Sequence, residues 1–130
     1  MAFKEFLLKD ENIPVGGEKR LMPMLDVSKW DRLHFHIGSG AHLPIRGLYV
    51  KILFATLLDI QRVILADSTI WYEDTVSERE FIHTVPSDYD GTGFVMSVPV
   101  VAPHIYDIIL KNQGSSDLTD ISVAVMAQEI

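Results

Sequence analysis

Two histidines, His34 and His36, stand one residue apart in the run Arg32-Leu-His-Phe-His-Ile37. On a strand such a pair points the same way and lies about 6–7 Å apart, because each residue rises about 3.3 Å. Neutral imidazoles so placed can share a zinc, iron or copper ion when a third side chain joins them. His42, His83 and His104 are the histidines left to supply it. The competing reading is a pair of histidines on a solvated strand face. A second candidate is Asp88-Tyr-Asp-Gly91, where the carboxylates of Asp88 and Asp90 could begin a calcium site. Calcium takes roughly six to eight oxygens, and an Asp-Gly turn between two strands explains the same letters. Glu73, Asp74, Glu78 and Glu80 gather near Trp71 and Tyr72. Paired carboxylates beside an aromatic platform suit sugar chemistry, with a solvated loop as the plain alternative. Trp30, Trp71, Tyr72 and Tyr89 offer faces on which sugar rings could stack, or else serve as large core and sheet-edge residues.

Other chemistries find little support. Gly38-Ser-Gly40 is not the Gly-x-Ser-x-Gly turn that presents a nucleophile. Gly91-Thr-Gly93 has neither the length nor the following lysine of a phosphate loop. The absence of cysteine excludes disulfides, thiol catalysis and cysteine-ligated zinc. The net charge is −7, and the eleven Lys and Arg are scattered, with only Lys19 and Arg20 adjacent. Binding to nucleic acid or to an anionic membrane needs a basic patch, so neither partner is expected. The most apolar window, residues 48–66, is interrupted by Lys51, Asp59 and Arg62. That is short of the roughly 18 uninterrupted apolar residues of a membrane helix. Lys4, Glu5, Lys9 and Asp10 break the N-terminal apolar stretch, which does not read as a secretory signal. The expectation is a cytoplasmic protein, or a particle component without a signal peptide.

The elements that must position these side chains are strands. Leu33, Phe35 and Ile37 alternate with Arg32, His34 and His36, the period of a half-buried strand. Ile121, Val123 and Val125 repeat the pattern, as do Tyr106, Ile108 and Leu110 against Asp107 and Lys111. Residues 80–85, 94–98 and 69–72 are weaker strand candidates. Turn residues separate these runs at Gly38-Ser-Gly40, at residues 86–91 and at residues 112–117. Eight or nine such strands in 130 residues predict one all-β domain, a sandwich or barrel spanning residues 1–130. Residues 48–66 admit two readings. Lys51, Ala55, Asp59 and Arg62 fall at helical spacing, which would make the fold α+β. Tyr49-Val-Lys-Ile-Leu-Phe54 reads as a strand, and this reading is preferred. Leu53 and Ala55 then oppose Val50, Ile52 and Phe54, so both faces are apolar. A second subunit covering one face would explain that, and a homo-oligomer is expected.

The order of these runs resembles a known architecture. Asp26-Val-Ser-Lys-Trp-Asp31, leading into Leu33-His-Phe-His-Ile-Gly38, resembles an early strand of galactose-binding-like jelly-roll domains, where an Asp-Val-Ser turn feeds a strand that begins one sheet. Val98-Pro-Val-Val-Ala-Pro103, a strand ending Lys111-Asn-Gln-Gly114 and the alternating residues 121–127 resemble the end of those domains. The resemblance spans most of the chain and implies an antiparallel jelly-roll β-sandwich. Members of that fold bind sugars, lipids or proteins, and some hold a structural calcium; the fold does not fix the function. None of their sugar-contacting residues carries over to a position here. His34-Phe-His36 also resembles the His-x-His strand of the cupins, metal-binding jelly rolls, but the glutamate that follows in cupins is absent, the next acid being Asp59. The readings in order are therefore a non-catalytic binding or assembly module, with carbohydrate as the candidate ligand, a metal-dependent cupin-like enzyme centred on His34 and His36, and a phage or virus structural subunit.

Overall fold

The computed structural model describes residues 2–21, 23, 25–55 and 80–129. Among them lie nine strands: β1 (Ala2–Ile13), β2 (Glu18–Arg20), β3 (Leu25–Asp26), β4 (Arg32–Ser39), β5 (Leu48–Ala55), β6 (Glu80–Thr84), β7 (Gly93–Pro99), β8 (His104–Asn112) and β9 (Leu118–Gln128). They form two antiparallel sheets. The first has the order β1-β9-β4-β7, the second β2-β8-β5-β6 with β3 also paired to β8. The chain crosses repeatedly between the sheets, which is the strand order of a jelly roll. The all-β sandwich expected from alternation is the observed fold. Among the described residues no helix is long and apolar enough to cross a membrane.

The core fills the space between the sheets. Leu33, Phe35 and Ile37 of β4 and Ile121, Val123 and Val125 of β9 face Val50, Ile52 and Phe54 of β5 and Ile105, Ile108 and Leu110 of β8. Each of these is essentially sealed from solvent, and burying one such side chain contributes about 1.5–3 kcal/mol. Phe81 of β6 meets Phe54 edge-on, with ring centroids 5.9 Å apart. Where β6 and β7 leave the two sheets open at one side, His83 lies against Phe94 at 4.5 Å.

The two ends of the sandwich are closed differently. At one end, Asp26 accepts hydrogen bonds from the Ser28 hydroxyl (2.7 Å) and the Ser28 backbone N–H (2.9 Å). These two bonds, the hydroxyl first, hold its carboxyl below the usual carboxylate range. The Asp-Val-Ser turn singled out in the sequence is this side-chain-capped turn. It sends Val27 and Trp30 into the core. At the other end, Asn112 ties three segments together. Its amide donates to the carbonyls of Ile13 (3.0 Å) and Ser116 (2.8 Å), and its Oδ1 accepts from the Gly114 N–H (3.0 Å). Beside it, Gly47 has φ +73° and sits so close to Gly114 that a Cβ would fall 2.5 Å from that backbone. Only glycine fits both the left-handed conformation and the contact.

Three departures from the sequence expectations have local causes. β1 was not anticipated, because its pairing with β9 shifts register after Phe6, Leu8 and Glu11. Each shift resets which residues face inward, so Leu7 and Leu8 both pack toward the core and no alternation survives in the letters. In β8 the pairs Leu53↔Asp107 and Phe54↔Ile105 leave Tyr106 as an extra residue. This bulge puts Ile105, not Tyr106, in line with Ile108 and Leu110. Tyr106 and Asp107 are nonetheless buried. Burial first, and the Asp107 charge second, push the Tyr106 phenol above its ordinary range. Finally, the helical alternative for residues 48–66 fails over its first part, since Leu48–Ala55 is strand β5 between β8 and β6. Residues 56–66, and the strand candidate at 69–72, lie outside the described residues.

Candidate functional site

Residues far apart in sequence meet on the outer face of the first sheet. Antiparallel register sets Phe6 opposite Ala124, Ala124 opposite His36 and His36 opposite Val95. Side chains of directly paired residues share a face, so these four form one row across β1, β9, β4 and β7. The next row toward the Asn112 end is Ser122, Gly38 and Gly93. Small residues there leave the face hollow. Gly38 and Gly93 approach so closely that a Cβ on either would press against the backbone of the other strand, 2.9 Å from the Thr92 and Ile37 carbonyl oxygens respectively. The result is a groove of about 590 Å³. Its floor is Gly38, Gly93 and Ala124, and its rims carry Phe6, His36 and Val95.

The groove is mostly apolar with a few polar groups at one end. Phe6 is 56% exposed and Val95 54%. The Lys9 ammonium stands 5.6 Å from the Phe6 ring centre. Asp10 adopts φ 52°, and its N–H donates to the Ser122 hydroxyl at 3.1 Å, which fixes the β1 bulge where the groove ends. An exposed ring, an imidazole, a carboxylate and a hydroxyl thus line one concavity. Two smaller hollows lie at the Asn112 end of the sandwich. One, of about 430 Å³, is bounded by Val15–Gly17 and Gln113. The other, of about 270 Å³, is bounded by Leu43, Arg46 and Ser115.

The candidates read from the sequence are distributed as follows. His36 is exposed in the groove row. His34 sits one row further on, half-buried, with Nδ1 2.7 Å from the Ser97 hydroxyl and Nε2 2.9 Å from Gln128 Oε1. Both of its ring nitrogens are therefore engaged. His83 and His104 belong to the second sheet and His42 to the β4–β5 loop. Among the described residues no three His, Asp or Glu side chains come together in a way that could hold a metal ion. Asp90 pairs with the Arg46 guanidinium, so a calcium ion at Asp88 and Asp90 would compete with a cation already in place. Tyr89 folds back across Gly91 and donates its hydroxyl to the Gly93 carbonyl at 2.8 Å. It braces the loop and is only half-exposed. Trp30 is 6% exposed and packed in the core, as a large core residue, and has little face to offer a sugar. Trp71, Tyr72 and the acidic residues Glu73, Asp74 and Glu78 lie outside the described residues.

No family model matches the chain, and no curated protein is significantly similar to it. The groove therefore has to be read from its own chemistry.

Sequence reasoning missed Phe6, Asp10, Val95, Ser122 and Ala124. Nothing in their spacing marks them, because they meet only through cross-strand register. The one available signal was the pair of small residues Gly38 and Gly93 inside otherwise apolar strands, which often marks a close backbone approach or a hollow.

Proposed function

We propose that the chain is a non-catalytic binding module that takes a carbohydrate in the groove across β1, β9, β4 and β7. The carrying observation is the alignment of exposed Phe6 with His36, Asp10 and Ser122 along one concavity. Its volume of about 590 Å³ falls within the roughly 300–1,000 Å³ of small-molecule sites, which pair apolar walls with a few directing polar groups. A sugar ring has an apolar face for Phe6 and hydroxyls for Asp10, His36 and Ser122. This reading also fits the galactose-binding-like resemblance of the sequence. A glycan array followed by calorimetry on the hits tests it. Phe6→Ala and Asp10→Asn should each abolish binding while leaving the thermal midpoint within about 2 °C, since both side chains are exposed. An array without hits, or hits undiminished by Phe6→Ala, overturns it.

A second reading rests on the strand order. Capsid subunits share the jelly-roll order with lectin domains, which favours a phage or virus structural subunit. Particles of defined size at high protein concentration would support this, and their absence across salt and pH would remove it. The metal-dependent, cupin-like reading requires His34 to release one of its two partners, Ser97 or Gln128, since a metal takes one ring nitrogen and leaves the other its hydrogen bond. Elemental analysis of protein purified without chelators decides it.

A further inference from the structure

Among the described residues β7 has one neighbour, β4, and its other edge meets no strand. The bonds from Ser39 N–H to Thr92 C=O (2.8 Å) and from Val100 N–H to Asp31 C=O (3.0 Å) bracket the β4–β7 ladder. Pairing alternates along an antiparallel strand, so the even-numbered residues of β7 bond to β4. Gly93, Val95, Ser97 and Pro99 turn their backbone groups outward.

The other sheet edges are protected in the ways that block edge-to-edge pairing, by charge, brevity or bulges. β1 carries Glu5, Lys9, Asp10 and Glu11 and shifts register three times. β2 is Glu18-Lys-Arg20, three residues long. β3 has two residues, and β6 has five among the described residues. β7, Gly93-Phe-Val-Met-Ser-Val-Pro99, is regular over seven residues and carries no charge. Its outward Val95 is 54% exposed.

We propose that β7 is a dimerisation edge: two copies pair their β7 strands antiparallel about a two-fold axis at Met96, joining two four-stranded sheets into one of eight. An uncharged edge brings no like charges face to face when a second copy of the same chain pairs with it. The backbone groups also fit this register. Val95 of each copy exchanges two hydrogen bonds with Ser97 of the other, and the Gly93 N–H of each donates to the other's Pro99 C=O. Pro99 has no N–H to offer Gly93 in return. The Gly93 carbonyl needs none, because it already accepts the Tyr89 hydroxyl at 2.8 Å. The one residue without a donor therefore falls opposite the one edge carbonyl already satisfied. Shifting the register by two residues breaks this match.

The pairing extends the face that holds the groove. The row Phe6, Ala124, His36, Val95 continues into Ser97 and His34 of the second copy, so the dimer lengthens the sheet face beyond the Val95 rim while each groove stays complete within its own chain. The dimer itself does not depend on the ligand being a sugar.

Sedimentation velocity from about 1 µM to about 1 mM tests the proposal, a range that spans weak edge-to-edge association. Wild type should rise from the 14.7 kDa monomer toward twice that mass. Val95→Lys places a charge at the edge and should hold the chain at the monomer mass, with an unchanged circular dichroism spectrum. Because the chain has no cysteine, Met96→Cys gives a register-specific readout. The two Met96 residues form a non-hydrogen-bonded pair about 4.5 Å apart at Cα, within disulfide reach. Met96→Cys should cross-link on mild oxidation, and Val101→Cys, also exposed but beyond the edge, should not. A wild type that stays monomeric throughout, a Val95→Lys variant that still dimerises, or equal cross-linking at both cysteines overturns the proposal. None of these outcomes bears on glycan binding by the monomer.

Discussion

Asn112→Ala removes three hydrogen bonds that no other side chain can replace. The Ile13 carbonyl is buried where it accepts the Asn112 amide, and the Ser116 carbonyl and Gly114 N–H are partly buried. Asn112 itself is 2% exposed, so water cannot easily enter in its place. At about 1 kcal/mol net for each bond, the loss comes to about 3 kcal/mol. For a domain of this size that corresponds to about 4 °C per kcal/mol, or a thermal midpoint about 12 °C lower. Asn112→Asp sharpens the argument. It keeps the acceptor for Gly114 but sets a carboxylate against two carbonyl oxygens, so the loss at neutral pH should exceed that of alanine. Protonating the new carboxyl restores one donor. Its folded-state pKa should therefore lie above the unfolded value, and the stability of this variant relative to wild type should recover as pH falls toward 4. Urea unfolding at pH 7 and pH 4, read by tryptophan fluorescence and circular dichroism, measures all of this. An alanine variant within about 0.5 kcal/mol of wild type would falsify the role given to Asn112.

Gly47→Ala should cost more than about 2 kcal/mol, because it combines a left-handed φ of +73° with a Cβ 2.5 Å from Gly114; chemical denaturation compares it with Gly16→Ala, where φ is +75° but the space is open. Tyr106 has its phenol pKa raised in the folded state, so above about pH 10 the unfolded chain ionises first and stability falls as pH rises; Tyr106→Phe should flatten this alkaline limb in a pH series of thermal midpoints, and an unchanged slope refutes the assignment. Asp26 has its pKa lowered from 3.8, so its contribution is present above pH 3.8 and lost as pH falls below it; Asp26→Asn keeps the turn and should make the acid limb shallower.

How much of this was legible in the sequence depended on whether strand pairing stayed regular. β4 and β9 pair without a shift over their whole contact, so Leu33, Phe35 and Ile37, and Ile121, Val123 and Val125, alternate in the letters as they do in space. β1 and β8 are bulged. A bulge moves every later side chain to the other face, which hid β1 and misassigned Tyr106. The groove was less legible still. His36 was singled out, but for a metal and with His34 as its fellow ligand. Its actual neighbours in the row, Ala124 and Val95, come from β9 and β7, and only the register of three strand pairs brings them together. Single-strand periodicity carries no information about that register.

The apolar second face of β5, taken from the sequence as the mark of a partner subunit, acquires a different meaning. Leu53 does point away from the main core, yet it is 1% exposed within a single chain. Tyr106 at 1% and Ile109 at 4% are sealed with it. Arg20 of β2 reaches toward the equally buried Asp107, with Nε 3.9 Å from Oδ2. A strand already covered on both faces makes no demand for a second copy, so this segment no longer argues for an oligomer. The argument passes to the other sheet. There, among the described residues, the outer edge of β7 meets no strand, and its side chains offer neither charge nor bulge to keep another strand away. Apolar surface can be hidden by any segment of suitable shape, whereas a row of outward N–H and C=O groups is matched only by another strand in register. Pro99 and the Tyr89–Gly93 bond together select one register out of those available. That makes the β7 edge a more specific signal of self-association than any apolar face of this chain.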